Sequence, residues 1–153
     1  MIREISPEDA AQLVPLNTLV QNLHAAECPH IYPADPDPAA LAAHLAATLA
    51  RPGTFALAWG APPLGYVLAE VQEIPGDLLR HPARRGMVHH ISVAATARRQ
   101  GIGLALVEAA KARFRDAGAT HWAVTYRVFN DASAALMARA GAAPGLILGE
   151  GAL

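Results

Sequence analysis

Val93-Ala94-Ala95-Thr96-Ala97-Arg98-Arg99-Gln100-Gly101-Ile102-Gly103 joins two elements of different kinds. Before it, Met87-Val88-His89-His90-Ile91-Ser92-Val93-Ala94 is short and mostly apolar, which suits a central strand. After it, Leu104, Val107, Lys111 and Phe114 mark a helix from Gly103 to Ala117 that Gly118 closes. The loop glycines therefore fall where the backbone turns from a strand into a helix N-terminus. Free N–H groups converge there with the positive end of the helix dipole, and residues without a Cβ let an anion such as a diphosphate come close. Arg98 and Arg99 add charge-assisted donors. Tight turns and close helix–strand packing use the same glycines, so the pair alone does not separate ligand binding from geometry. It does exclude two readings. A dinucleotide-binding turn needs Gly-x-Gly-x-x-Gly with an acid about 20 residues later, and a triphosphate-cradling loop needs Gly-Lys-Ser/Thr.

Outward from this centre the pattern alternates. His121 to Val128 reads as a strand with Trp122, Val124, Tyr126 and Val128 on one side, and Asn130 to Ala140 as a last helix stopped by Gly141. Upstream, Phe55, Leu57 and Trp59 alternate with Thr54, Ala56 and Ala58. A second run from Leu64 to Val71 follows the turn Gly60-Ala61-Pro62-Pro63, so the two form an antiparallel hairpin. A turn-rich stretch from Ile74 to Gly86 leads to the central strand. Asp37-Pro38 caps a helix carrying Leu41, Leu45 and Leu49, and Ser6-Pro7-Glu8-Asp9 caps another carrying Leu13, Leu16, Val20 and Leu23, which Pro15 splits in two. Ile2 to Ile5 supplies a first strand and Leu146-Ile147-Leu148 a short tail strand. This order predicts a single α/β domain.

The glycine loop resembles motif A of the GNAT superfamily of acyl-CoA transferases, Arg/Gln-x-x-Gly-x-Gly/Ala after a strand ending in Val, with Arg98, Gly101 and Gly103 as the matching residues. Asn130-Asp131-Ala132-Ser133-Ala134-Ala135-Leu136-Met137-Ala138-Arg139-Ala140-Gly141 is similar to the same family's Asn-x-x-Ala-x-x-Leu-Tyr-x-x-x-Gly-Phe helix. The resemblance implies a mixed central sheet flanked by helices and acetyl-CoA as acetyl donor. It implies backbone contacts of Ile91 and Val93 to the pantetheine arm and of Gln100, Gly101, Ile102, Gly103 and Leu104 to the pyrophosphate. It also implies side-chain contacts of Asn130 and Ser133, which as ordinary capping residues have a second explanation. Met137 stands where the family has a tyrosine thought to protonate the departing thiolate, and Ala142 where Phe is common. Methionine donates no proton, yet an alkyl thiol of pKa near ~8.5 leaves tolerably as thiolate.

An amine must lose a proton before it attacks a thioester, so a base is required. His89 is the first candidate: it has the parity of Ile91 and Val93 and matches a position where aralkylamine-acetylating members of the family carry an acid/base histidine. Glu70, near the end of the hairpin strand, is the second. Tyr32 is a candidate for the acceptor pocket, in the segment His24 to Asp37 that shapes acceptor choice in the family. Strand alternation sets His89 and His90 on opposite faces, and no other group has ligand spacing, so no metal is expected. Two functions follow. One is an N-acetyltransferase acting on the primary amine of a small molecule or peptide; the other is a catalytically silent acyl-CoA-binding module, which Met137 favours as His89 favours the first.

Composition narrows the partners. A chain of 153 residues fits one core, and 53% hydrophobic content with only 5% aromatics implies close packing of small aliphatic side chains. A net charge of −1 with dispersed basic residues excludes nucleic acid or an anionic membrane as an electrostatic partner. The N-terminus lacks a signal pattern and no apolar run approaches the ~20 residues of a membrane span, so a cytoplasmic protein is expected. The lone Cys28 reads as a plain buried thiol. The short tail leaves a sheet edge open, and two outcomes stand: Leu146-Ile147-Leu148 pair across a two-fold axis or pack on a second subunit to make a homodimer, or the edge stays exposed on a monomer.

Overall fold

The computed structural model describes residues 1–153. Its elements are β1 (Ile2–Ile5), a 3-10 helix (Pro7–Leu13), α1 (Val14–Glu27), α2 (Pro38–Leu49), β2 (Thr54–Trp59), β3 (Gly65–Ile74), β4 (Ala83–Val93), α3 (Ile102–Asp116), β5 (His121–Val124) and α4 (Asp131–Arg139). The strands form one sheet in the order β1-β2-β3-β4-β5. All neighbours are antiparallel except β4 and β5, which the α3 crossover makes parallel.

Both faces of the sheet are covered, and β2 shows how the sequence allows it. Phe55 and Leu57 pack with Val67, Ala69, Val88, Leu106 and Phe114 on the α3 side. Ala56 and Ala58 pack with Leu13, Leu16, Leu45, Tyr66 and Leu68 beneath α1 and α2. The alternation is large against small instead of apolar against polar, and the alanine face lets two helices sit close. A third cluster of Val107, Met137 and Ala140 locks α4 onto α3.

Pro15 lies in the first turn of α1, where its missing N–H costs nothing, so the two expected helical pieces meet at Leu13 and Val14. β3 and β4 run beyond the predicted strands, reducing the connecting loop to residues 75–82. The added length carries no apolar signal because it leaves the core, and polar cross-strand pairs hold it: Arg84 with Glu73, and Arg85 with Gln72 at 2.8 Å. β5, predicted to reach Val128, stops at Val124, because β4 offers it partners only from Arg85 to Val88. The expected tail strand does not form. Residues 143–153 carry no secondary structure, with Leu146, Ile147 and Leu148 exposed. No helix is long and apolar enough to cross a membrane.

Where α1 crosses the sheet, the Asn17 side chain donates to the buried Tyr66 hydroxyl at 2.7 Å and lies 3.1 Å from His90 Nδ1. Burial of His90, with the charges of His89, His44 and His24 around it, pushes its pKa from 6.5 down to about 4.

Two outcomes follow for stability. Between pH 6.5 and about 4 the unfolded chain carries a proton at His90 that the folded chain refuses, so stability falls as pH drops through that window, by up to about 3 kcal/mol. Urea unfolding of His90→Gln should show a flatter pH dependence there, and an unchanged slope refutes the assignment. Gly86 faces Phe114 so closely that an added Cβ would lie 2.2 Å from its ring. Gly86→Ala should therefore cost about 3 kcal/mol and lower the Tm measured by circular dichroism by several degrees.

Candidate active site

β4 parts from β5 after Val88, so His89 to Val93 have no strand partner on that side. On the β3 side, the Ala94 N–H bonds to Leu64 O, and the register pairs Ser92 with Tyr66 and His90 with Leu68. Hydrogen-bonded pairs alternate along an antiparallel ladder, so Ser92 and His90 turn their polar groups inward while Ile91 and Val93 turn theirs to the open edge. The Val93 carbonyl accepts from Arg98 Nε at 3.2 Å. A row of peptide groups thus lies open to any ligand with amides of its own, at the two residues the motif singled out.

The row ends at the α3 N-terminus. Arg99, at φ +59°, and Gly101, at φ +80°, both adopt left-handed backbone, a geometry that turns successive N–H groups into an anion-binding concavity. Gly101 is the N-cap of α3 and has no side-chain cap, so the first-turn N–H groups of Ile102, Gly103 and Leu104 lack intrahelical partners. A Cβ on Gly101 would meet nothing within 4 Å, and its φ is what selects glycine; the space in front of it is open. Gly103 differs from the expectation that both glycines spare room for a ligand. Its Cβ would lie 3.2 Å from Leu136 of α4, so glycine there serves helix packing. The Arg98 and Arg99 side chains are exposed, and Gln100 Nε2 bonds to Thr96 O at 3.3 Å.

Asn130 is the N-cap of α4, its side chain accepting from the Ser133 N–H at 3.0 Å. That cap is the ordinary capping role expected of both residues. Met137 is 1% exposed and packs against Val107 and Ala140, so no hydroxyl occupies the position of the family tyrosine.

The histidines depart from the parity argument. The register slips between Leu68 and Ala69, so that Leu68 faces His90 while Ala69 faces Val88, and His89 is the extra residue of a β-bulge. Instead of facing away from His90, His89 lies with it on the α1–α2 face, where its Nε2 stands 2.8 Å from Glu70 Oε2. The two candidate bases are one pair. Burial alone would raise the Glu70 pKa, but hydrogen bonds from His89 and Gln72 and the charges of His89 and Arg51 outweigh it and hold the carboxyl below its usual range. With that carboxylate ionised, Nε2–H donates the hydrogen bond to it, and the ring's Nδ1 makes none. Even side by side, the histidines join no group of three or more His, Cys, Asp or Glu placed to hold a metal ion.

Tyr32 stands farther along the same face. Its ring lies 5.1 Å from that of His24, which meets Phe129 edge-on at 5.9 Å. Its hydroxyl accepts from Arg127 Nε at 2.9 Å. Arg127 is not singled out by the sequence because residues 121–128 read as one strand, whereas the structure ends β5 at Val124 and sets Arg127 in irregular chain. A surface concavity of about 550 Å³ lies at the other end of the sheet between Gly53, Phe55, Arg84 and Arg113. Its arginines are already paired with Glu73 and Glu4, so chemistry and not volume locates the site.

Residues 18–142 match the family described as Acetyltransferase (GNAT) family. Comparison with curated protein sequences gives no match. Among solved structures, a tetramutant of the BH1408 protein from Bacillus halodurans superposes with a TM-score of 0.89 at 18% identity, over 100% of this chain and 99% of that one. The aminoglycoside antibiotic 6'-N-acetyltransferase AAC(6')-IG from Acinetobacter haemolyticus gives 0.74 at 15% identity, over 100% and 97%. The aminoglycoside acetyltransferase meta-AAC0020 from an uncultured soil metagenomic sample gives 0.65 at 16%, over 100% and 95%. At these identities the structural likeness speaks for the fold, whereas the family match spans most of the sequence and includes both motifs: the chain belongs to the acetyltransferase (GNAT) family.

Proposed function

We propose that the chain transfers the acetyl group of acetyl-CoA to a primary amine of a small molecule or peptide by direct attack. The observation that carries this reading is the open edge of β4, which runs from the left-handed turns before α3 to the His89–Glu70 pair. Acetyl-CoA fits that path, since its pyrophosphate requires converging N–H groups, its pantetheine arm carries amides and its thioester must end near a base. When bound it supplies an activated carbonyl carbon.

In this reading Gln100 to Leu104 hold the pyrophosphate through backbone N–H groups, Arg98 and Arg99 neutralise its charge, and Ile91 and Val93 pair with the pantetheine amides. Asn130 and Ser133 border the arm from α4. Glu70 holds the His89 ring with Nδ1 free, and Nδ1 accepts the proton that the amine nitrogen gives up as it bonds to the carbonyl carbon. The carbon–sulfur bond breaks and the thiol departs as thiolate, since Met137 has no proton to give. A silent acyl-CoA-binding module keeps one observation in its favour, the burial of Met137.

Two experiments bear on this. His89→Gln should lower kcat for amine acetylation by about a hundredfold, with the loss greatest below pH 8, while acetyl-CoA binding is unchanged. A pH–rate profile identical to the parent's removes His89 from the reaction, and tight binding without turnover by the parent supports the module. Arg98→Ala together with Arg99→Ala should weaken acetyl-CoA binding about tenfold in calorimetry without shifting the Tm, as both side chains are exposed. Unchanged affinity overturns the loop assignment. These variants are preferable to Gly101→Val, which places a β-branched residue at φ +80° and tests the backbone along with the ligand.

A further inference from the structure

Beyond Ala142 the tail makes a single hydrogen-bonded contact with the body of the protein: Glu150 accepts from an Arg127 guanidinium N–H at 2.7 Å. Nothing else explains where the tail lies, since residues 143–153 form neither helix nor strand and are exposed throughout. The receiving group, by contrast, is held in position. The Arg127 guanidinium donates through Nε to the Tyr32 hydroxyl at 2.9 Å and lies 5.3 Å from the Tyr32 ring centroid, and Tyr32 is braced on His24. Its Nε side is committed to tyrosine, its outer nitrogens are free for a carboxylate, and the Glu150 carboxylate is the group that has found them.

We infer that Arg127 and Tyr32 form a carboxylate-binding subsite for the acceptor, occupied here by Glu150 of the chain's own tail. The inference rests on the acetyl-transfer reading and adds the class of acceptor: an amine that also carries a carboxylate several bonds away. Position supports it. Asn17, which reaches His90 beside the His89–Glu70 pair, and His24, which braces Tyr32, are seven residues apart on one face of α1, two turns or roughly 10 Å of helix rise. An acceptor with its amine at His89 reaches Arg127 only if its two charged ends are well separated, so a simple α-amino acid does not span the distance.

Charge supports it as well. The face between the two ends presents His24, His44, His89 and His90, with Arg127 at its far end. Its one carboxylate at the reaction end, Glu70, is already matched by His89 and by Arg51 at 3.5 Å. At the reaction end the acid is thus already matched and an amine meets the His89 ring, whereas at the far end a distal carboxylate meets the Arg127 guanidinium. Displacing the tail is inexpensive, since an exposed ion pair contributes little.

The test compares two amines of equal length, ε-aminocaproate and n-hexylamine. The parent should acetylate ε-aminocaproate with the lower KM. Arg127→Ala should raise that KM about tenfold and leave hexylamine unchanged, and Tyr32→Phe should act in the same direction more weakly. Glu150→Gln, which removes the internal competitor, should lower the KM for ε-aminocaproate about two- to fivefold and leave hexylamine unaffected. Equal KM shifts for both amines in Arg127→Ala, or no effect of Glu150→Gln, overturn the subsite. Calorimetric binding of ε-aminocaproate separates this from failure of acetyl transfer: a chain that turns over neither amine but binds ε-aminocaproate more tightly as Glu150→Gln and more weakly as Arg127→Ala retains the subsite and loses the reaction. Binding that neither substitution changes removes the subsite whatever the activity.

Discussion

One extra residue in β4 sets the geometry on which the site depends. The bulge at His89 turns two consecutive side chains to the same face, and β5 follows β4 only up to the residue before it. A bulge increases the local bend and twist of its strand, and a short neighbour cannot follow it. The unpaired peptides of Ile91 and Val93, the meeting of His89 with Glu70, and the gap toward the start of α3 all follow from that divergence. Without the bulge, His89 would face α3 and Glu70 would lack its partner.

The sequence reveals the parts of this arrangement that have a period. The helical stripes of α2 and α3, the alternation in β2 and the glycines before α3 place the elements and the strand-to-helix turn, because each reflects a local requirement of backbone or burial. The bulge has no such mark. His89-His90 reads as ordinary alternation, and only the slip of β3 against β4 reverses its meaning. The outer half of the β3–β4 hairpin was hidden for another reason: its ladder of Arg84, Arg85, Gln72 and Glu73 is polar on both strands, so it resembles a loop in composition. The tail is the opposite case. Leu146-Ile147-Leu148 has the composition of a strand, but composition does not supply a neighbour with which to pair.

Met137 and Asn17 show two ways in which the interior near the candidate site is filled. Methionine between α3 and α4 packs on Val107 and Ala140 and places no hydroxyl there. Asn17 spends its amide on Tyr66 and His90, so the second histidine is fixed as a neutral structural group while the first keeps a carboxylate partner. Two adjacent histidines are thereby given different hydrogen-bond partners, Asn17 for one and Glu70 for the other.

The strand order β1-β2-β3-β4-β5 has a consequence for how the chain assembles. β2, β3 and β4 form a meander of consecutive strands whose pairings close short loops, so they can form before much chain entropy has been spent. β1 pairs with β2 only across both N-terminal helices, and β5 joins β4 only after α3 has crossed the sheet. The bulge and the His89–Glu70 pair lie in this meander, so the contacts that shape the candidate site are among those with the lowest loop-closure cost in the sheet.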